Sequence, residues 1–167
     1  MTASTRSARV IAACCSAHAI QDGLVALQFV LLPILAQTFG LSYSQVGLLR
    51  GLHAVALAAC EVPSGMLAER VGARILLVLG LATAGLGYLG VAFGGEFFVI
   101  ASCFVIAGIG GGFQHSLSSA VLAANFEQGA RRRALGTYNA AGDAGKLTGT
   151  GLFGLGVGAG LAEDNEC

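Results

Sequence analysis

Charge is what this sequence has least of. Only 11% of its 167 residues are Asp, Glu, Lys or Arg, against about a quarter in an ordinary soluble domain. Nine basic and nine acidic residues cancel, so no overall field draws the chain to nucleic acid or to an acidic substrate. The five cysteines, Cys14, Cys15, Cys60, Cys103 and Cys167, form no C-x-x-C pair, and no histidine lies at metal-ligand spacing. Small buried thiols are expected, and no metal. Neither a G-x-S-x-G elbow nor an H-E-x-x-H pair occurs. A membrane-embedded enzyme would have only His18, Asp22, His115 and Ser116 as raw material, and no enzyme is expected. "AAGDAGKL" misses the phosphate loop G-x-x-x-x-G-K-[ST], because Ala140 and Leu147 stand at its first and last positions and no strand precedes it. No cofactor is expected.

What is there is apolar. Hydrophobic residues make up 55% of the chain, with a mean hydropathy of +0.77, so the lipid bilayer is the expected surrounding. A helix needs about 20 mostly apolar residues to cross a bilayer, and such runs lie near 10–38, 45–67, 74–94, 97–124 and 134–161. The last is the weakest, because "ALGTYNAAGDAGKLT" is only mildly apolar. A cleaved signal peptide does not fit the start, since the first run carries His18, Gln21 and Asp22 and continues to Phe39. Barrel strands alternate over about 10 residues, whereas these runs are continuous. Twenty-six glycines suit membrane helices that approach closely; Gly145/Gly149, Gly154/Gly158 and Gly156/Gly160 have G-x-x-x-G spacing. The expected fold class is all-α, a polytopic transmembrane helical bundle of about five spans.

Basic residues outside the spans are Arg6, Arg9, Arg70, Arg74, Arg131, Arg132 and Arg133, all before span one or between spans two and three or four and five. The positive-inside rule then puts residues 1–9 in the cytoplasm and the tail, 162–167, outside. One cytoplasmic turn is "GMLAERVGAR" (65–74), where Gly65 and Gly72 are expected to end helices and reverse the chain. Its charges, Glu69, Arg70 and Arg74, serve either as a solvated tight turn or as locks between neighbouring helix ends.

This turn resembles that of the major facilitator superfamily, which reads roughly G-x-L-A-D-R-x-G-R-R/K between helices two and three. Gly65, Leu67, Ala68, Arg70, Gly72 and Arg74 match, while Glu69 replaces the usual Asp and Ala73 a common basic residue. Gly136, Gly145 and Gly149 follow the family's antiporter ladder G-x8-G-x3-G, but Thr150 stands where proline normally follows, which leaves antiport open. Residues 111–147 look most like the fosmidomycin-resistance type of exporter, with R-x-x-A-x-G-x-x-x-x-x-G opening the fifth helix. The resemblance implies an incomplete N-terminal half of a major facilitator fold, reaching five of twelve helices. It also implies that the turn gates the cytoplasmic side and that helices one and four line a central cavity.

Ionisable groups inside the bilayer cost at least a few kcal/mol each and are functional candidates until a partner explains them. His18, Gln21 and Asp22 share one helix face by their spacing. Counted from Val10 at about 1.5 Å per residue, Asp22 lies about 18 Å in, near the middle of a roughly 30 Å core, the depth at which transporters bind substrates and ions. Gln114 and His115 arrive at a depth comparable to His18, and imidazoles titrate near neutrality; a structural hydrogen bond is equally open for each. Asp143 and Lys146, three apart, can neutralise each other or reach Asp22. Arg50 can snorkel outward, and Glu61 can meet the arginines of the turn.

These residues and the resemblance together predict the N-terminal portion of a secondary active, proton-coupled transporter. It would move a small organic solute by alternating access across a bacterial inner membrane, with His18, Gln21, Asp22, Gln114, His115, Asp143 and Lys146 as substrate or coupling groups. A chain of five spans leaves half of the cavity wall absent. A fragment, a truncated remnant and a subunit that pairs with the missing C-terminal half are all open.

Overall fold

The computed structural model describes the backbone of residues 3–164 and the side chains of residues 6–157. Six helices follow one another, α1 (Ala3–Ala26), α2 (Gln28–Phe39), α3 (Tyr43–Val71), α4 (Ala73–Val91), α5 (Phe97–Asn125) and α6 (Gln128–Asp164), with no strand among the described residues. The expected all-α bundle is observed. Leu27 alone separates α1 from α2, and the Leu27 amide still donates to the Gly23 carbonyl and the Leu31 amide to the Leu27 carbonyl. The two therefore act as one passage across the membrane.

Four helical passages are long and apolar enough to cross a membrane: Arg6–Phe39, Tyr43–Val71, Ala73–Val91 and Phe97–Asn125. The expected fifth span lies in α6, a continuous helix whose described part does not reach that apolar standard. Helices also outrun the expected spans; α3, for instance, carries on through Glu69 and Arg70. Hydropathy marks the oily part of a helix, while backbone hydrogen bonding continues into the charged ends.

The turns follow local chemistry. Gly40, in the left-handed conformation, ends α2, and Ser42 opens α3 with a capping box, its hydroxyl accepting from the Gln45 amide while Gln45 Oε1 accepts from the Ser42 amide. Gly65 does not end a helix, contrary to the sequence expectation; it lies inside α3. A single residue, Gly72 at φ 94°, makes the reversal into α4, a conformation that costs a residue with a Cβ.

In lipid, helices gain little by hiding apolar surface from each other, so close backbone contact matters more. The run "GIGGGF" (108–113) makes α5 the central helix. A Cβ at Gly108 or Gly112 would strike the His53 or Leu57 carbonyl of α3, at Gly110 the backbone of α4, and at Gly111 the Gln21 amide of α1. On α6, Gly145 faces the Ala19 carbonyl and Gly149 the backbone of Gly23, which realises the Gly145/Gly149 spacing as an α1–α6 contact. Gly136 and Gly154 face open space, Gly156 likewise, and Gly158 and Gly160 lie outside the described side chains.

Two apolar clusters result. One joins Leu32, Leu35, Leu49, Tyr88, Ile100 and Phe104, the other Cys14, Leu122, Ala134 and Tyr138. On both α1 and α5 the polar residues named above fall between these two clusters.

Candidate functional site

Helical spacing on α1 turns His18, Gln21 and Asp22 to one side, where all three are buried, none more than 5% exposed. α5 brings His115 to the same place and α6 brings Lys146. The Asp22 carboxylate is the meeting point. Its Oδ2 lies 3.1 Å from Lys146 Nζ, and its Oδ1 lies 3.6 Å from His18 Nδ1 and 4.0 Å from His115 Nδ1. The two imidazole centroids are 5.1 Å apart. Lys146 Nζ also donates to Asp143 Oδ1 at 3.0 Å, so one ammonium bridges two carboxylates.

The charge count of this cluster is uneven. With both imidazoles neutral, two carboxylates face one ammonium, and one negative charge remains. That charge is shared between the buried Asp22 and the exposed Asp143, and the cluster can take up one further proton or other positive charge. His18, Asp22 and His115 also present ligand atoms within 4.8 Å of one another, a grouping able to hold a metal ion. Spacing along one helix hides it, because His115 belongs to another. The Lys146 ammonium already sits on the opposite Asp22 oxygen, where it competes with any cation.

The cluster borders a cavity of about 530 Å³, lined also by Gln21, Asn139, Val25 and Leu57. Neither polar atom of the buried Gln21 carboxamide has a hydrogen-bond partner among the described residues, an arrangement suited to a polar solute. His115 and Lys146 are about half exposed, at 46% and 51%, and Asp143 more so, at 73%. The described residues therefore supply one wall, and the opposite side is open. Gly142 permits this packing, since a Cβ there would press on the His18 imidazole and the Asp22 carboxylate.

Gln114, fully buried, donates to Ser118 Oγ at 3.0 Å and lies against the His18 imidazole and the Tyr138 hydroxyl. The turn residues Glu69, Arg70 and Arg74 lie apart from the cluster, and none makes an ion pair among the described residues. Glu61 does not meet them, although its carbonyl accepts from the Ser64 hydroxyl, which bonds in turn to Ser116 across the α3–α5 contact at 2.7 Å. Arg50 lies over the Phe29 ring, 4.7 Å from its centroid.

Several residues escaped the sequence reading. Tyr138 stacks on His18 with centroids 3.9 Å apart and planes 9° from parallel. A second polar group, Gln28, His53 and Tyr88, forms a chain in which Gln28 Nε2 donates to the Tyr88 hydroxyl at 2.7 Å and that hydroxyl lies 3.2 Å from His53 Nε2. One signal pointed to it: Gln28 follows Gln21 by two helical turns along the α1–α2 passage.

Comparison with known proteins gives one match. Residues 14–161 fit the sequence profile of the Major Facilitator Superfamily. No curated protein and no solved structure matches the chain.

Proposed function

The chain belongs to the major facilitator superfamily, and from that premise we propose that it forms one wall of a proton-coupled transporter in which Asp22 carries the coupled proton. The family and the apolar helices make it an integral, multi-pass membrane protein with a transporter domain. The observation that supports the finer reading is the convergence on Asp22 of Lys146, His18 and His115 from three helices. A proton on Asp22 releases the Lys146 ammonium to Asp143, 3.0 Å from it, and removes the ion pair that adds to the glycine contacts between α1 and α6. Loss of the proton restores the pair. Proton occupancy is thereby tied to the α1–α6 contact, a movable element for alternating access.

Gln21 and the open cavity are the proposed seat of a small polar organic solute, and a second helical bundle, the C-terminal half, is its proposed opposite wall. The turn around Gly72 is the proposed gate on the cytoplasmic side, in a bacterial inner membrane with the N-terminus inside and the C-terminus outside. Export is the favoured direction, on the resemblance of residues 111–147 to fosmidomycin-resistance exporters. A partner-dependent subunit is the second reading, favoured by the exposure of Lys146 and Asp143 on the open side.

The test is transport by the protein reconstituted from its native membrane into vesicles, screened against radiolabelled organic solutes under a pH gradient in both directions. Asp22→Asn should abolish gradient-driven accumulation and leave exchange at equal concentrations. Accumulation that survives in this variant refutes Asp22 as the proton carrier.

A further inference from the structure

A second cavity, of about 230 Å³, lies beside the first and is lined by Gln28, Phe29, Arg50 and His53. Val25 and Leu57 border both cavities. The register explains this. Along the α1–α2 passage the chain carries Asp22, then Val25, then Gln28 and Phe29 toward the cavities; along α3, running the other way, it carries Leu57, then His53, then Arg50. The distance from Asp22 to Phe29 along the α1–α2 passage is about 10 Å at 1.5 Å per residue. Two chambers are therefore stacked along the helices with Val25 and Leu57 between them.

The chemistry of the second chamber differs from the first. Arg50 is the one basic residue between Arg9 and Arg70, and among the described residues no carboxylate lies within ion-pair distance of it. Phe29 covers one face of its guanidinium, which leaves the N–H edge for a planar, bidentate acceptor. The Tyr88 hydroxyl accepts from Gln28 Nε2 and shares a hydrogen bond with His53 Nε2; the tautomer in which Tyr88 donates carries its imidazole N–H on Nδ1. This chamber offers donors and positive charge, while the Asp22 cluster carries a surplus negative charge.

We propose that the Arg50 chamber is a second binding site, in which an organic anion bearing a carboxylate is held before or after it passes the Val25–Leu57 layer. The inference rests on the transporter reading and names a class of solute for it. Two like chambers would give one binding preference, whereas these two sort the charged ends of a solute in opposite ways.

The experiment labels the thiol of Ala54→Cys, on the wall of this chamber, in protein whose five native cysteines are changed to Ala. Two methanethiosulfonate reagents of similar size are compared, one carrying a sulfonate and one a trimethylammonium. With Arg50 present, the sulfonate should react faster by about tenfold or more, relative to the same pair of reagents on a small free thiol, given a unit charge a few Å away. Arg50→Gln should abolish that bias and Arg50→Lys restore most of it. Benzoate should protect the thiol in the Arg50 protein, benzyl alcohol should not, and Arg50→Gln should remove the protection. Equal reagent rates with Arg50 present, or benzoate protection that persists in Arg50→Gln, overturn the proposal and leave Arg50 as a side chain that reaches for the membrane surface. Labelling needs no transport, so this proposal and the role of Asp22 fail separately.

Discussion

The two partners of the Asp22–Lys146 pair should differ in what their loss costs. Asp22 is 7% exposed at its side chain and Lys146 is 51% exposed. Lys146→Met keeps the apolar stem but leaves a buried carboxylate without its ammonium. Breaking a buried pair from one side costs about 3–5 kcal/mol; here water reaches the lysine and two imidazoles stay within 4.0 Å of Asp22, so about 1–2 kcal/mol is the expected loss. Asp22→Asn leaves the ammonium with Asp143 at 3.0 Å and with solvent, and should cost less than about 1 kcal/mol. The double variant holds neither charge and should be about as stable as Asp22→Asn alone, a coupling of about 1–2 kcal/mol. The assay is reversible unfolding in mixed micelles at neutral pH for the four members of the cycle. An Asp22→Asn loss larger than that of Lys146→Met, or simple additivity in the double variant, refutes the reasoning from burial.

Two further outcomes follow from packing and hydrogen bonding. Gly145→Ala should destabilise by about 1–3 kcal/mol as its methyl meets the Ala19 carbonyl, whereas Gly136→Ala, with open space around it, should gain up to about 1 kcal/mol of helix propensity; the same unfolding assay reads both, and equal effects would argue against the α1–α6 contact. Tyr88→Phe removes the hydroxyl between Gln28 and His53 and strands two buried polar groups, for a loss of about 1–3 kcal/mol. Gln28→Leu combined with Tyr88→Phe should recover part of it, and no recovery would argue against the chain.

Much of the bundle was legible because lipid imposes one simple rule, long apolar runs that satisfy their own backbone. The polar pattern on α1 was equally plain, since His18, Gln21 and Asp22 are local in sequence and helical geometry fixes their common face. Gly65 misled, because a glycine near charges looks like a helix end, yet the backbone there keeps its hydrogen bonds and only Gly72 must turn. His53 and Tyr88 gave no pattern within their own helices. Their meaning comes from a hydrogen bond spanning 35 residues.

The sequence by itself determined that this chain is a helical membrane protein with ionisable groups inside its apolar helices, because hydropathy and the 3.6-residue period act within single segments. Tertiary structure alone decided that His115 and Lys146 meet on Asp22, that Gln114 bonds to Ser118 beside them, and that a second chamber opens around Arg50. Those outcomes depend on which helix stands beside which. That order is set by where glycines of α5 and α6 let backbones touch, and by how far apart along the chain the touching segments lie.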